Sequence, residues 1–345
     1  MELVRKIIIG VDGAATFLAV HSLYFFLLII DHNRARVEGI LNLYPKQKMK
    51  NDITILKIGG SSITDKAREE TLDQASLEWF AKLIASYVSA STTLGPNHKI
   101  IVIHGAGSFG HHSAKRYGLR CGKSVILDES TSYPRSDVSD VDLQYQMEGL
   151  SKTRHSVQKL NSAVVGALLH HGVNAVGISP GMNISSIRAH GATKCNDEVD
   201  DSHQGMKLLC QSIHQSLEAG LVPVIHGDAC LLYDGKRAGI LGGDTLVEGI
   251  ATLWDESIGT AAASARLCSI SRVIFITDVA GVFTADPKSD ENAVLIRHLK
   301  VDSTGEVHAI NDEGGSAQSE TLLDISGSSH AHDVTGGLKV SSGGY

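Results

Sequence analysis

Residues 99–112 read KIIVIHGAGSFGHH. The first six, Lys99 to His104, form a nearly all-apolar run, the pattern of a β-strand buried on both faces. The run then stops at a glycine turn. Upstream, Ile53, Ile55 and the stretch Leu56 to Ile58 make another short β-rich run, and it too ends in glycines, Gly59 and Gly60. Between the two, Leu77, Phe80, Ile84 and Val88 recur at helical spacing. Downstream, Val157, Leu160, Val164 and Leu168 mark another helix, closed by Gly172 in a capping position. Ala175 to Ile178, Leu221 to Ile225 and Arg272 to Thr277 are further strand candidates. Strands separated by helices predict an α/β fold, a mainly parallel sheet with helices on both faces. Ligands of such sheets gather at the carboxyl ends of the strands.

Four strand ends share one chemistry: KIGGSSITDK (Lys57 to Lys66), HGAGSFGHH (His104 to His112), HGDA (His226 to Ala229) and TDVAGVF (Thr277 to Phe283). A glycine turn removes the Cβ atoms where backbone N–H groups must approach a ligand. Such N–H groups, with lysines nearby, suit phosphate oxygens. A single glycine turn is common in any α/β protein; several at one sheet edge point to a phosphate site. The spacing Gly105-x-Gly107-x-x-Gly110, with Asp128 downstream, also matches a dinucleotide fingerprint. An oxidoreductase is the alternative on that basis. It leaves the KIGGS turn and the later TDVAGV and TGGLK segments without a purpose. No G-x-x-x-x-G-K-[ST] occurs, which excludes a P-loop enzyme.

Across 345 residues the chain is 42% hydrophobic and 20% charged, ordinary for a folded domain. A formal net charge of −7 argues against nucleic acid as a partner. Cys121, Cys195, Cys210, Cys230 and Cys268 are scattered, without a C-x-x-C pair. They predict reduced thiols in a cytoplasmic setting and no zinc site. Residues 1–50 read as an N-terminal extension, with the globular pattern occupying 51–345. Ala14 to Ile30, AATFLAVHSLYFFLLII, is an apolar run at the short limit for a membrane-spanning helix. Membrane association through residues 14–30 and a segment merely appended to the working domain are both open on this reading.

The motifs KIGGSSITDK, VIHGAGSFGHHSAKRYGL, GVNAVGISPG, GLVPVIHGDA, GILGGDT, RVIFITDVAGVFTADP and DVTGG occur in an order that resembles the isopentenyl phosphate kinases of the amino acid kinase superfamily. The resemblance runs from about Ile53 to Gly337. It implies an αβα sandwich and phosphoryl transfer from ATP, with Mg2+, to isopentenyl phosphate. Lys57, Gly59, Gly60, Ser61, Gly107, Asp278, Gly337 and Lys339 would meet ATP. Ala106, His111 and Gly243 would meet the acceptor, with His112 as the fallback for His111. Lys66 and His111 would carry catalysis, and Asp244 would organise the junction of phosphates and metal, although no residue is assigned as a metal ligand. Asp228 is a weaker candidate of the Asp278 kind, and each has a plain alternative as a turn cap. Lys66 would otherwise be a solvated lysine opening a Glu69 to Val88 helix. His104 reads as a structural residue, and Tyr117, Ile178 and Met182 as pocket lining or ordinary core. Family members are commonly homodimers.

The chain departs from the family pattern at three residues, in a segment from Glu256 to Ser271 longer than the family norm, and at its C-terminus. Ala280 stands where Asp is usual, Gly242 where Ser is usual, and Lys339 lies two positions early in TGGLK. The family's C-terminal helix and closing strands are expected to be lacking. Two alternatives therefore stay open: another small-molecule kinase of the superfamily, or a truncated non-catalytic nucleotide-binding relative.

Overall fold

The structure, a computed structural model, describes residues 17–20, 23–31, 52–94, 98–119, 140–181, 201–231, 238–258, 269–277, 282–283, 291–296, 299–301 and 307–309. Its centre is a sheet built from β1 (Phe17–Val20), β2 (Leu23–Asp31), β3 (Asp52–Ile58), β4 (His98–His104), β5 (Ala175–Ile178), β6 (Val222–His226) and β9 (Ser269–Thr277). A hairpin of β7 (Asp228–Leu231) and β8 (Ala238–Leu241) follows β6. The helices are α1 (Gln74–Leu94), α2 (His111–Arg116), α3 (Asp140–His170), α4 (Asp201–Glu218) and α5 (Gly243–Ile258). The strand order is β1-β2-β9-β3-β4-β6-β5, and every pairing is parallel except β1 with β2.

Alternation along β3 and β4 divides the core into two layers, because successive side chains leave opposite faces of a strand. Ile53, Ile55, Ile101 and Ile103 face one cluster, with Leu209 and Ile213 of α4 and Leu246, Ile250 and Trp254 of α5. Leu56, Ile58, Ile100 and Val102 face the other, with Phe80 and Ile84 of α1 and Leu160, Val164 and Leu168 of α3. Both faces are covered, so both must be apolar, and the continuous hydrophobic runs follow.

Helix ends obey local chemistry. Asp73 caps α1: its carboxylate accepts from Ser76 N at 3.0 Å and from Ser76 Oγ at 2.7 Å. The helix therefore begins at Gln74, and Lys66 belongs to the preceding loop rather than to a helix opening at Glu69. Gly172 stops α3 with φ +78°, while Val173 N donates to Leu168 O at 3.0 Å.

The apolar run 14–30 also differs from a helical reading. Its described part forms β1 and β2, and β2 pairs with β9 in parallel register from Phe26↔Arg272 to Asp31↔Thr277. Aromatic and branched residues in a short run suit a buried strand as well as a helix segment, and periodicity does not separate the two. No helix among the described residues is long and apolar enough to cross a membrane.

A chain starting at Met49 lacks β2 and leaves the outer edge of β9 unpaired, a template for aggregation. Differential scanning calorimetry with light scattering should show a Tm at least about 5 °C below that of the full chain, with earlier aggregation. An unchanged Tm would mean that β2 adds nothing to the sheet.

Candidate active site

The carboxyl ends of β9, β3, β4 and β6 lie side by side, and each ladder runs one step past its strand. Gly59 N donates to Ile276 O (2.8 Å), Gly105 N to Ile58 O (2.9 Å) and Gly227 N to His104 O (2.9 Å). Gly59 thus commits its N–H to the sheet and contributes space rather than a donor. The N–H groups of Gly60, Ser61, Ala106 and Gly107 come after the ladder, in two 3-10 turns, Gly60–Ser62 and Gly107–Phe109.

These two turns touch through their backbones. A Cβ on Gly60 would stand 2.1 Å from Gly107 N, and one on Gly105 would stand 2.8 Å from Gly60 N. Gly107 adopts φ +51°, and its Cβ would fall 2.2 Å from Thr64 Oγ1. No side chain fits at any of the three positions. Gly227 closes the group: its Cβ would lie 3.4 Å from Gly243 N and 3.7 Å from Ala106 N.

Lys57 is the penultimate residue of β3, and its side chain is 15% exposed. Its ammonium lies 2.8 Å from Asp244 Oδ1 and 5.6 Å from the centre of the Phe275 ring. Asp244 occupies the first turn of α5, where the helix dipole favours negative charge. A Cβ on Gly243 would be 3.6 Å from Lys57 Cε and 3.7 Å from His104 O. One cation, one carboxylate and the N-terminus of α5 therefore meet beside the glycine turns. That combination suits a bound polyphosphate.

Lys66 and His111 follow the first and second turns in the chain. Lys66 is exposed in the loop between the Thr64↔Leu72 bridge partners, and His112 Nε2 sits 3.2 Å from its carbonyl oxygen. His111 is the first residue of α2 and half-buried. The turn before it folds so tightly that a Cβ on Gly110 would stand 2.4 Å from Ala106 Cβ. His112, the fallback for His111, is thus engaged with the Lys66 backbone.

Two buried histidines form the floor. His104 Nδ1 donates to Gly105 O at 3.0 Å, and Asn161 Nδ2 donates to His104 Nε2 at 3.1 Å and to Val224 O at 3.2 Å. His226 repeats the first bond, Nδ1 to Gly227 O at 3.1 Å, and the two rings stack with centroids 6.0 Å apart. Burial pushes His104 down to about 3 and also lowers His226. Both rings are neutral braces for the glycine carbonyls, and His104 is structural as its sequence position implies.

A profile of the amino acid kinase family matches residues 52–256 and 259–340. An isopentenyl phosphate kinase of Methanothermobacter thermautotrophicus is 34% identical over 244 residues, covering 70% of this chain and 73% of the relative. One of Arabidopsis thaliana is 27% identical over 319 residues, covering 83% and 80%. An X-ray structure of an isopentenyl phosphate kinase aligns at 33% identity and a TM-score of 0.49, covering 71% of this chain and 79% of that one. The chain belongs to the amino acid kinase family, on its isopentenyl phosphate kinase branch. It is a kinase, and ATP is its phosphoryl donor.

Asp228 of this kinase is not a nucleotide ligand. Its carboxylate is fully buried and accepts from Arg154 Nη1 (2.7 Å), Ser179 Oγ (3.1 Å), Gly181 N (3.1 Å) and its neighbour Ala229 N (2.8 Å). Its Oδ2 ties α3 and the loop after β5 to the β6–β7 junction, while Oδ1 accepts from the adjacent Ala229 N. HGDA alone gives no sign of this, since Arg154 lies 74 residues away. Ile178 packs partly buried against the core layer of α4 and α5. Tyr117 is buried in a small apolar cluster with Ala114, Leu119, Leu150, Ala229 and Ala238, its hydroxyl held by Lys152 Nζ at 3.0 Å. Asp278, Met182, Gly337 and Lys339 lie outside the described residues, although Asp278 directly follows the end of β9. No group of three or more His, Cys, Asp or Glu among the described residues could hold a metal.

Two outcomes follow. Asp228→Ala leaves Arg154 as a buried unpaired charge and should destabilise the fold by about 3–5 kcal/mol in urea unfolding. His104 contributes to acid sensitivity. Its folded pKa lies below the ordinary 6.5, so the unfolded chain binds the proton first, and stability falls as pH drops from 6.5 towards about 3. Between pH 7.5 and pH 5 the full chain should lose about 2 kcal/mol more than His104→Gln; equal losses would contradict the assignment.

Proposed function

We propose that this kinase transfers the γ-phosphoryl group of ATP to isopentenyl phosphate, giving isopentenyl diphosphate and ADP. The observation that carries the reading is the backbone contact of the Gly60 and Gly107 turns beside Lys57, Asp244 and the N-terminus of α5. Turn amides held this close, with a lysine beside them, suit two phosphates side by side. The chemistry needs no carboxylate base, because the second pKa of a phosphate monoester is near 6 and the acceptor is already mostly ionised at neutral pH. An acceptor oxygen forms the new bond to the γ-phosphorus as the bond to the β–γ bridging oxygen breaks, and ADP leaves with the electron pair. The demand on the protein is to hold two anions together and to stabilise charge spread over the transferring group.

In this reading Lys57 and the Gly60, Ser61 and Gly107 amides bind the ATP phosphates, and Gly59 leaves the space for them. Lys66 stabilises the transferring group. Ala106, Gly243 and His111 hold the acceptor phosphate, His111 by a charge-assisted hydrogen bond when protonated. Asp278, Gly337 and Lys339 complete the nucleotide site. Mg2+ binds in such sites through substrate phosphates and one or two carboxylates. Asp244, the carboxylate beside Lys57, fits that donor set and would hold the ion, which neutralises phosphate charge when bound.

The test is coupled ADP release by the full chain with Mg-ATP and isopentenyl phosphate, alongside Lys66→Ala and His111→Ala. Turnover should require the acceptor and fall about a hundredfold or more in Lys66→Ala. His111→Ala should raise the KM for isopentenyl phosphate far more than that for ATP. Folded protein without acceptor-dependent turnover would overturn the reading, and turnover with a different phosphate or carboxylate would reassign the acceptor.

A further inference from the structure

The loop carrying Lys66 is fastened to both glycine turns by two buried hydroxyls. Thr64 is 3% exposed and Ser108 2%. Thr64 Oγ1 donates to Gly60 O at 2.8 Å and accepts from Ser108 N at 3.0 Å. One oxygen thus joins the first turn to the second. Ser108 Oγ donates to Thr71 O at 3.2 Å and accepts from Thr71 N at 3.3 Å, and Ser108 O accepts from Glu70 N at 3.3 Å. The far end of the loop is thereby bound to the second turn as well. Glu70 adopts φ +49°, in the left-handed region that a non-glycine residue occupies only when its surroundings require it.

Ion pairs flank this connection: Arg116 of α2 with Glu69 at 2.9 Å and Lys159 of α3 with Glu70 at 2.9 Å. These are largely exposed, so they guide the loop rather than hold it. The hydroxyl pair is different, since a buried donor or acceptor that loses its partner carries the full desolvation cost. We infer that Thr64 and Ser108 are positioning residues that set the Gly60 turn, the Gly107 turn and Lys66 in one frame for transfer. The inference rests on the phosphoryl-transfer reading above. A frame that aligns donor, acceptor and lysine acts on the transition state more than on nucleotide binding, so its loss should appear in kcat.

The experiment compares the full chain with Thr64→Val, Thr64→Ser and Ser108→Ala in steady-state kinetics and in hydrogen–deuterium exchange of segment 64–72. Thr64→Val and Ser108→Ala should each lose about tenfold or more in kcat, with the ATP KM within about threefold of the parent. Thr64→Ser, which keeps the hydroxyl, should recover to within about threefold. Exchange across 65–71 should quicken in Thr64→Val and in Ser108→Ala but not in Thr64→Ser. An unchanged kcat in the folded variants, a loss matched by an equal rise in the ATP KM, or no rescue by serine would overturn the inference. Should Thr64→Val fail to fold, Ser108→Ala decides the question by the same readouts. Where the parent itself shows no turnover, the phosphoryl-transfer reading fails, and unchanged exchange at 65–71 in the variants then overturns the frame independently.

Discussion

The site depends on a backbone-to-backbone contact. Parallel register places Ile58 opposite His104, so β3 and β4 end at the same level, and the chain must turn at both ends in the same small volume. With a Cβ on Gly60 only 2.1 Å from Gly107 N, no other residue type is accommodated at that crossing. The contact brings two sets of turn amides closer than any side-chain-bearing loops could. It also explains the polar chemistry beneath. Glycines crowded at a sheet edge have no side chains of their own to fix them, so they are braced from outside by the His104 and His226 rings and by the Thr64 hydroxyl.

Charge follows the same logic. Lys57, beside the glycine turns, is answered by Asp244 at 2.8 Å. A second charge pair at this end of the sheet among the described residues, Asp228 with Arg154, is internally satisfied. Neutral histidines in the floor are consistent with the division: burial keeps them uncharged, so they shape the turns without adding positive charge under the anions.

Much of the fold was legible because β3, β4, β6 and β9 are covered on both faces, and such strands advertise themselves as short apolar runs ending in turn residues. The glycine turns were legible for the same reason, being where those runs stop. What was not legible depends on contacts distant in sequence. Thr64 reads as an ordinary polar loop residue until Ser108, 44 positions on, is brought to it. Asp228 looks like a turn cap until Arg154 arrives from α3. The boundary at Gln74 was misplaced because the Asp73 cap competes with an earlier acidic residue, Glu69, that instead pairs with Arg116. The run 14–30 reads as a membrane span or an appended segment, and its pairing with β9 depends on a strand more than 230 residues further on.

These facts bear on how an enzyme of this design would choose its acceptor. Backbone N–H groups recognise a phosphate oxygen whatever is attached to it, so the Gly60 and Gly107 turns alone cannot distinguish one phosphorylated molecule from another. Discrimination has to come from positions with side chains. On the acceptor side of the proposed reaction the first such position after Ala106 and the glycine turn is His111, at the start of α2. Ala114, Tyr117 and Leu119, which follow it in the chain, are buried in an apolar cluster with Ala229 of β7 and Ala238 of β8. That cluster is packed core, so discrimination beyond His111 rests on other side chains exposed beside the turns.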